Sequence, residues 1–86
     1  MAEPLRVRVL IRPKEGILDP QGQAVERALP ALGYEDVEDV HVGRLIELEV
    51  GGDERTVTAR VEEMCERLLA NPLIESYEVH AIGVGP

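Results

Sequence analysis

Between Val40 and Val50 the apolar side chains other than Leu45 hold one parity. Val40, Val42, Ile46, Leu48 and Val50 alternate with Asp39, His41, Glu47 and Glu49, and the phase passes through Gly43 unchanged. Side chains of a strand point alternately to two faces, so a one-residue slip turns the whole set over. A two-residue hairpin at Gly43-Arg44 would make that slip. It would pair Val42 with Leu45 and carry Glu47 and Glu49 onto the Val40/Val42 face. Two arrangements remain: a long strand from Val37 to Val50 bent at Gly43, or a hairpin with a three-residue turn. The long strand is the favoured expectation. At ~3.3 Å per residue it would reach roughly 46 Å, more than one small sheet needs, so its far end is expected to pair with a second subunit.

The flanking segments follow the same logic. Leu5, Val7, Val9 and Ile11 alternate with Arg6, Arg8 and Arg12, which predicts a half-buried strand. Asp19 has the place of a helix N-cap and Pro20 that of the first helical residue. Val25, Ala28, Leu29 and Leu32 then line one helical face, and Gly33 follows as a left-handed C-terminal residue. Pro30 removes a backbone bond inside that helix, so a kink or an early end is expected there. Gly51-Gly52 breaks the middle strand. Asp53 caps a second helix whose apolar stripe is Val57, Val61, Met64, Cys65 and Leu68, and Asn71-Pro72 stops it. Leu73 to Ile82 predicts a last strand, with Tyr77, Val79 and Ala81 on one face. The expected fold is α+β: a β-α-β-α-β order with a long bent middle strand and both helices on one face of a mostly antiparallel sheet. It is related to the ferredoxin-like plan and dimerises through the sheet. Residues 1–86 form a single domain, with 83–86 as a frayed tail.

Composition narrows the partners. With 86 residues, two tyrosines and no Phe or Trp, the core must come from Val, Leu, Ile and Ala. So small a core favours self-association. The net charge of -8 argues against nucleic acid or an anionic membrane as the main partner. The start, Met1 to Leu5, lacks the apolar run of a signal peptide and no stretch approaches membrane-spanning length, so a cytoplasmic location is expected. One cysteine and two separated histidines do not suggest a metal site.

Few residues invite chemistry. Cys65 lies on an apolar helical stripe, where a buried inert thiol outweighs a nucleophile. His41 and His80 fall on polar strand faces and read as exposed. The carboxylates show no fixed spacing for paired acid–base work. Gly16 and Gly22 flank a helix start, but no GxGxxG or Walker pattern is present, and Asp19 would repel an anion there. Arg6, Arg8, Arg12, Lys14 and Arg44 form either a surface for an acidic partner or ion pairs with Glu47, Glu49 and Glu78.

Two stretches carry a family likeness: Lys14-Glu15-Gly16-Ile17-Leu18-Asp19-Pro20-Gln21-Gly22-Gln23-Ala24-Val25, and Met64-Cys65-Glu66-Arg67-Leu68-Leu69-Ala70-Asn71-Pro72-Leu73-Ile74-Glu75. With Val42-Gly43-Arg44 and Glu47 between them, the chain from Leu5 to Val79 resembles PurS, the small subunit of phosphoribosylformylglycinamidine (FGAM) synthase. It departs from the family pattern at His41, where Arg is frequent, at Arg44, where Lys is usual, and at Pro30. The resemblance implies a non-catalytic scaffold in de novo purine biosynthesis that bridges a glutaminase subunit, PurQ, and a synthetase subunit, PurL, and supports ammonia transfer. It implies a homodimer or tetramer, with no cofactor on this chain, since ATP, Mg2+ and glutamine belong to the partner subunits. It also implies no catalytic residue here. The expected contact residues are Lys14, Asp19, Pro20, Gln21, Gly22, Arg44, Asn71 and Pro72. A ferredoxin-like, dimeric small-molecule-sensing module is the alternative.

Overall fold

The computed structural model describes residues 4–84. Strand β1 (Leu5–Pro13) is central, flanked by β2 (Arg44–Val50) and β3 (Glu75–Val84). Both neighbours run antiparallel to it, with Val9 opposite Ile46 on one side and Val79 on the other. Helix α1 (Pro20–Ala28) continues as a 3-10 turn over Leu29–Leu32 and joins β1 to β2. Helix α2 (Glu54–Met64) continues as a π turn over Cys65–Leu69 and joins β2 to β3. The architecture is α+β and ferredoxin-like, as expected.

The core lies between α2 and the inner face of the sheet. Val7, Val9, Val57, Val61 and Cys65 are fully buried, joined by Ile11, Val50 and Ala70. Each of the Val and Ile side chains contributes about 1.5–3 kcal/mol by leaving water. The alternation in β1 therefore holds: its odd positions face α2, and Arg8, Leu10 and Arg12 face out. The same parity fixes β2, whose Ile46 and Leu48 pack against the core.

Both helix starts follow the sequence. Asp19 caps α1 with Pro20 in the first turn, and the Asp53 carboxylate accepts from the amides of Arg55 and Thr56. Pro30 ends regular α-helix, and the 3-10 turn closes at Gly33 with φ 98°.

Three expectations are corrected. The middle strand is short: ladder pairing begins at Arg44, and residues 37–43 belong to no sheet. Val40 and Val42 are half-buried and His41 is exposed, so the parity is real. The amides that a neighbouring strand would bind are taken instead by carboxylates: Val40 donates to Glu26 Oε1 at 3.0 Å and Val42 to Asp19 Oδ2 at 2.8 Å. Gly43 lies so close to the Ile11 carbonyl that any β-carbon there would collide with it.

The helices also differ from expectation. Only α2 forms a layer on the sheet. Helix α1 shares no extended contact with any strand, and of its residues only Gly22 is buried. The molecule measures 54 × 29 × 14 Å with a radius of gyration of 16.5 Å, against about 12 Å for a compact chain of this length. The Asp19–Val42 bond is a latch that ties the start of α1 to the segment leading into β2. Finally, β3 starts at Glu75 and includes Gly83 and Val84, which were expected to fray; Gly85 and Pro86 lie outside the described residues. Ile82 is the extra residue of a bulge opposite Arg6 and Val7.

Candidate functional site

The end of β1 and the starts of β2 and β3 meet at one end of the sheet, with Ile11 opposite both Arg44 and Tyr77, and Pro13 opposite Glu75. Two polar junctions are built there. At the first, Asp19 is 8% exposed, the one buried charged residue among those described. Its Oδ1 accepts from the Gly22 amide at 3.0 Å, the usual N-cap bond, while its Oδ2 accepts from Val42, 23 positions away. His41 Nδ1 lies 3.7 Å from Oδ2, and its Nε2 lies 3.0 Å from Asp39 Oδ1. The Gly22 and Val42 amides, in that order, hold the Asp19 carboxyl below its ordinary pKa against the opposing effect of burial, with a smaller contribution from His41. Gly22 is required for close approach: a β-carbon would collide with the Val40 carbonyl oxygen and the Asp19 carboxylate.

At the second junction, Arg44 Nη2 donates to Glu75 Oε1 at 2.8 Å, to Oε2 at 3.0 Å and to the Leu69 carbonyl at 3.3 Å. Glu75 Oε1 also accepts from the Asn71 amide at 2.7 Å. The Asn71 side chain accepts from Leu73, and its carbonyl from the Ile74 and Glu75 amides, which closes a turn around Pro72. Lys14 joins through its backbone, donating to the Ile74 carbonyl at 2.8 Å. One carboxylate thus organises each junction, and Arg12, Pro13, Glu15, His41 and Ser76 line an open cleft of about 260 Å³ at the same end.

The eight contact residues read from the sequence come together at this end. Asp19, Pro20, Gln21 and Gly22 form the first turn of α1 and its cap, while Arg44, Asn71, Pro72 and the Lys14 backbone form the second junction. Two organising residues lie outside the sequence reading, Glu26 and Glu75, and so does the second role of Asp19. Glu75 sits four residues after Asn71, a spacing compatible with a capped turn. Nothing in the sequence links Glu26 to Val40 or Asp19 to Val42.

Two further titratable groups, Cys65 and Tyr77, are shifted by their surroundings in the fold. Cys65 is fully buried, and burial, then Glu62 and Glu66, push its thiol up, the opposite of what a nucleophile needs. The Tyr77 hydroxyl donates to Glu66 Oε2 at 2.6 Å, which, with burial, raises its pKa to about 12. On the outer face of the sheet Arg8 pairs with Glu47 at 2.9 Å, while Leu10 and Leu45 lie exposed beside them. His41 and His80 are half exposed, in keeping with the sequence reading.

Fold and site define a small α+β domain of ferredoxin-like type whose two strand–helix junctions are fixed at one sheet end and whose apolar surface is only partly covered. The chain belongs to the PurS family, described as phosphoribosylformylglycinamidine (FGAM) synthase, whose pattern matches residues 6–83. It is 46% identical over 72 residues to the FGAM synthase subunit PurS of Bacillus subtilis (strain 168), covering 84% of this chain and 86% of that one. Among solved structures it is similar to Methanocaldococcus jannaschii PurS, one of the subunits of formylglycinamide ribonucleotide amidotransferase in the purine biosynthetic pathway. That likeness has a TM-score of 0.83 at 37% identity and covers 94% of this chain and 99% of that one. It is also similar to a chain in the structure of PurLQS from Thermotoga maritima, with a TM-score of 0.84 at 28% identity over 94% of this chain and 100% of that one.

Proposed function

We infer that this chain serves as the scaffold subunit of an FGAM synthase, joining a PurQ-type glutaminase to a PurL-type synthetase and keeping ammonia out of water between them. The observation that carries the reading is the near-complete overlay on a chain of the PurLQS structure. The geometry agrees with it. A scaffold needs surfaces held in fixed relation, and the two carboxylate-organised junctions hold the Lys14–Gly22 loop, Arg44 and the Asn71-Pro72 turn at one sheet end. Those residues are the proposed contacts with the larger subunits. ATP, Mg2+ and glutamine are used by the partners, and this chain carries no cofactor of its own. Exclusion of water is the physical task, because free ammonia protonates or escapes.

The chain also pairs with itself. The exposed outer face of the sheet, with Leu10 and Leu45 beside the Arg8–Glu47 pair, offers a surface for a dimer. Among the described residues no helix is long and apolar enough to cross a membrane, and the cytoplasm is the proposed location. The test is reconstitution with matching PurL and PurQ, ATP, Mg2+ and formylglycinamide ribonucleotide. The rate with glutamine should depend strongly on this chain, and the rate with free ammonia less so. Lys14→Glu together with Arg44→Glu should weaken assembly. Equal rates with and without the chain, from either nitrogen source, would remove the scaffold reading.

A further inference from the structure

A charge that faces a cleft without a counter-charge is a ready contact for a ligand group of opposite sign. The cleft at the junction end of the sheet holds one of each sign. Arg12 and Glu15 both line it, and among the described residues neither takes part in an ion pair, with the other or with any third group. Both are positioned by their backbone. Arg12 lies opposite Ser76 in the ladder, with Gly43 packed beside its stem. Glu15 takes the second place of a tight turn: the Ile17 amide donates to the Lys14 carbonyl at 3.1 Å, and Gly16 has φ 85°. The Lys14 amide ties that turn to the Ile74 carbonyl at 2.8 Å. His41 adds to the lining, with its Nε2 3.0 Å from Asp39 Oδ1 and its Nδ1 3.7 Å from Asp19 Oδ2.

We propose that this cleft binds a free α-amino acid, its carboxylate on the Arg12 guanidinium, its ammonium on the Glu15 carboxylate, and the Ser76 hydroxyl within the same cleft to bond either group. Charge selects the class. A plain anion such as phosphate would meet Glu15 and, beside His41, the carboxylates of Asp19 and Asp39. A plain cation would meet Arg12. A zwitterion answers both walls, and a planar carboxylate matches the guanidinium fork. Size agrees with the class. The cleft holds about 260 Å³, below the roughly 300–1,000 Å³ of sites for drug-sized ligands, which suits a molecule of amino-acid size. Its walls are the end of β1, the turn after it, the segment leading into β2 and the start of β3. Bonds within the chain already hold these together, so binding orders little. The cleft is open to water, which sets a weak affinity, on the order of 1 mM. This binding goes beyond the scaffold reading and does not depend on it.

The test uses the full chain alone, labelled with nitrogen-15, so its result is separate from whether PurL or PurQ binds. L-glutamine and L-alanine are titrated against it, beside propionate as a carboxylate without an ammonium and ethylamine as the reverse. Both amino acids should move the amide signals of Arg12, Glu15, Gly16, His41 and Ser76 along saturable curves, and neither half-ligand should saturate. Arg12→Gln and Glu15→Gln remove side chains that hold no ion pair in the fold, so both variants should keep the remaining amide spectrum. Each should raise the dissociation constant about tenfold. Shifts that stay linear with amino acid up to about 50 mM, saturation by propionate or ethylamine at the same concentration, or variants that bind as tightly as the wild type would each overturn the site.

Discussion

Replacing Gly22 with alanine tests the Asp19 latch directly. A glycine-to-alanine change near a helix start ordinarily stabilises by about 0.4–1 kcal/mol, because the unfolded chain loses freedom. Here the new methyl meets the Val40 carbonyl oxygen and the Asp19 carboxylate, neither of them the loose end of a flexible side chain. Overpacking of this kind costs typically 1–3 kcal/mol. Collision exceeds the gain, for a net loss of about 1–2 kcal/mol. In a domain of this size that corresponds to a fall in Tm of roughly 5–15 °C. Calorimetry at one fixed protein concentration reads it, since self-association moves Tm with concentration. Hydrogen exchange supplies the local readout: the Val42 amide should lose protection before the core amides of β1. Gly51→Ala is the control, because a β-carbon there meets no atom within 4 Å. A Gly22→Ala protein as stable as Gly51→Ala, with Val42 still protected, would refute the latch.

Asp19 also predicts an acid limb. Its folded pKa is depressed, so its contribution to stability is fully present above the unfolded value and disappears as pH falls from about 4 through the folded value; in Asp19→Asn, urea midpoints should vary less over that window. Tyr77 acts at the other extreme. Its folded pKa of about 12 exceeds the unfolded value near 10, so the folded state holds the proton and stability declines as pH rises between them. Phenolate absorbance in a Tyr34→Phe background should show Tyr77 ionising above pH 11 when native and near 10 in urea. Cys65, buried with a raised pKa, should react with a thiol reagent at least a hundredfold more slowly in the native protein than in guanidinium; comparable rates would mean that α2 is not seated on the sheet.

Local rules read much of the fold correctly because the relevant interactions are local. The caps at Asp19 and Asp53, the interruption at Pro30 and the left-handed turn at Gly33 each depend on residues within a few positions. The alternations in Leu5–Ile11 and Ile46–Val50 name the buried face because a strand allows two faces only. The segment before Gly43 departs from the expected strand for a physical reason. Alternation states which side chains are covered and not what binds the backbone. There the Asp19 and Glu26 carboxylates replace a neighbouring strand.

The candidate site divides in the same way. Asp19, Gly22, Arg44 and Asn71 stand out in the sequence as turn and cap residues and through the family likeness. Their convergence on one sheet end follows from the antiparallel order β2-β1-β3, which places the end of β1 beside the starts of the other two strands. By itself the sequence determined the element order, the helix boundaries and the core face, since each is set by neighbours along the chain. Only the tertiary structure decided that α1 stands clear of the sheet, that Arg44 is clamped to Glu75 and that Asp19 holds Val42. Those outcomes join residues 23 to 31 positions apart, and no local periodicity encodes a bond across that distance.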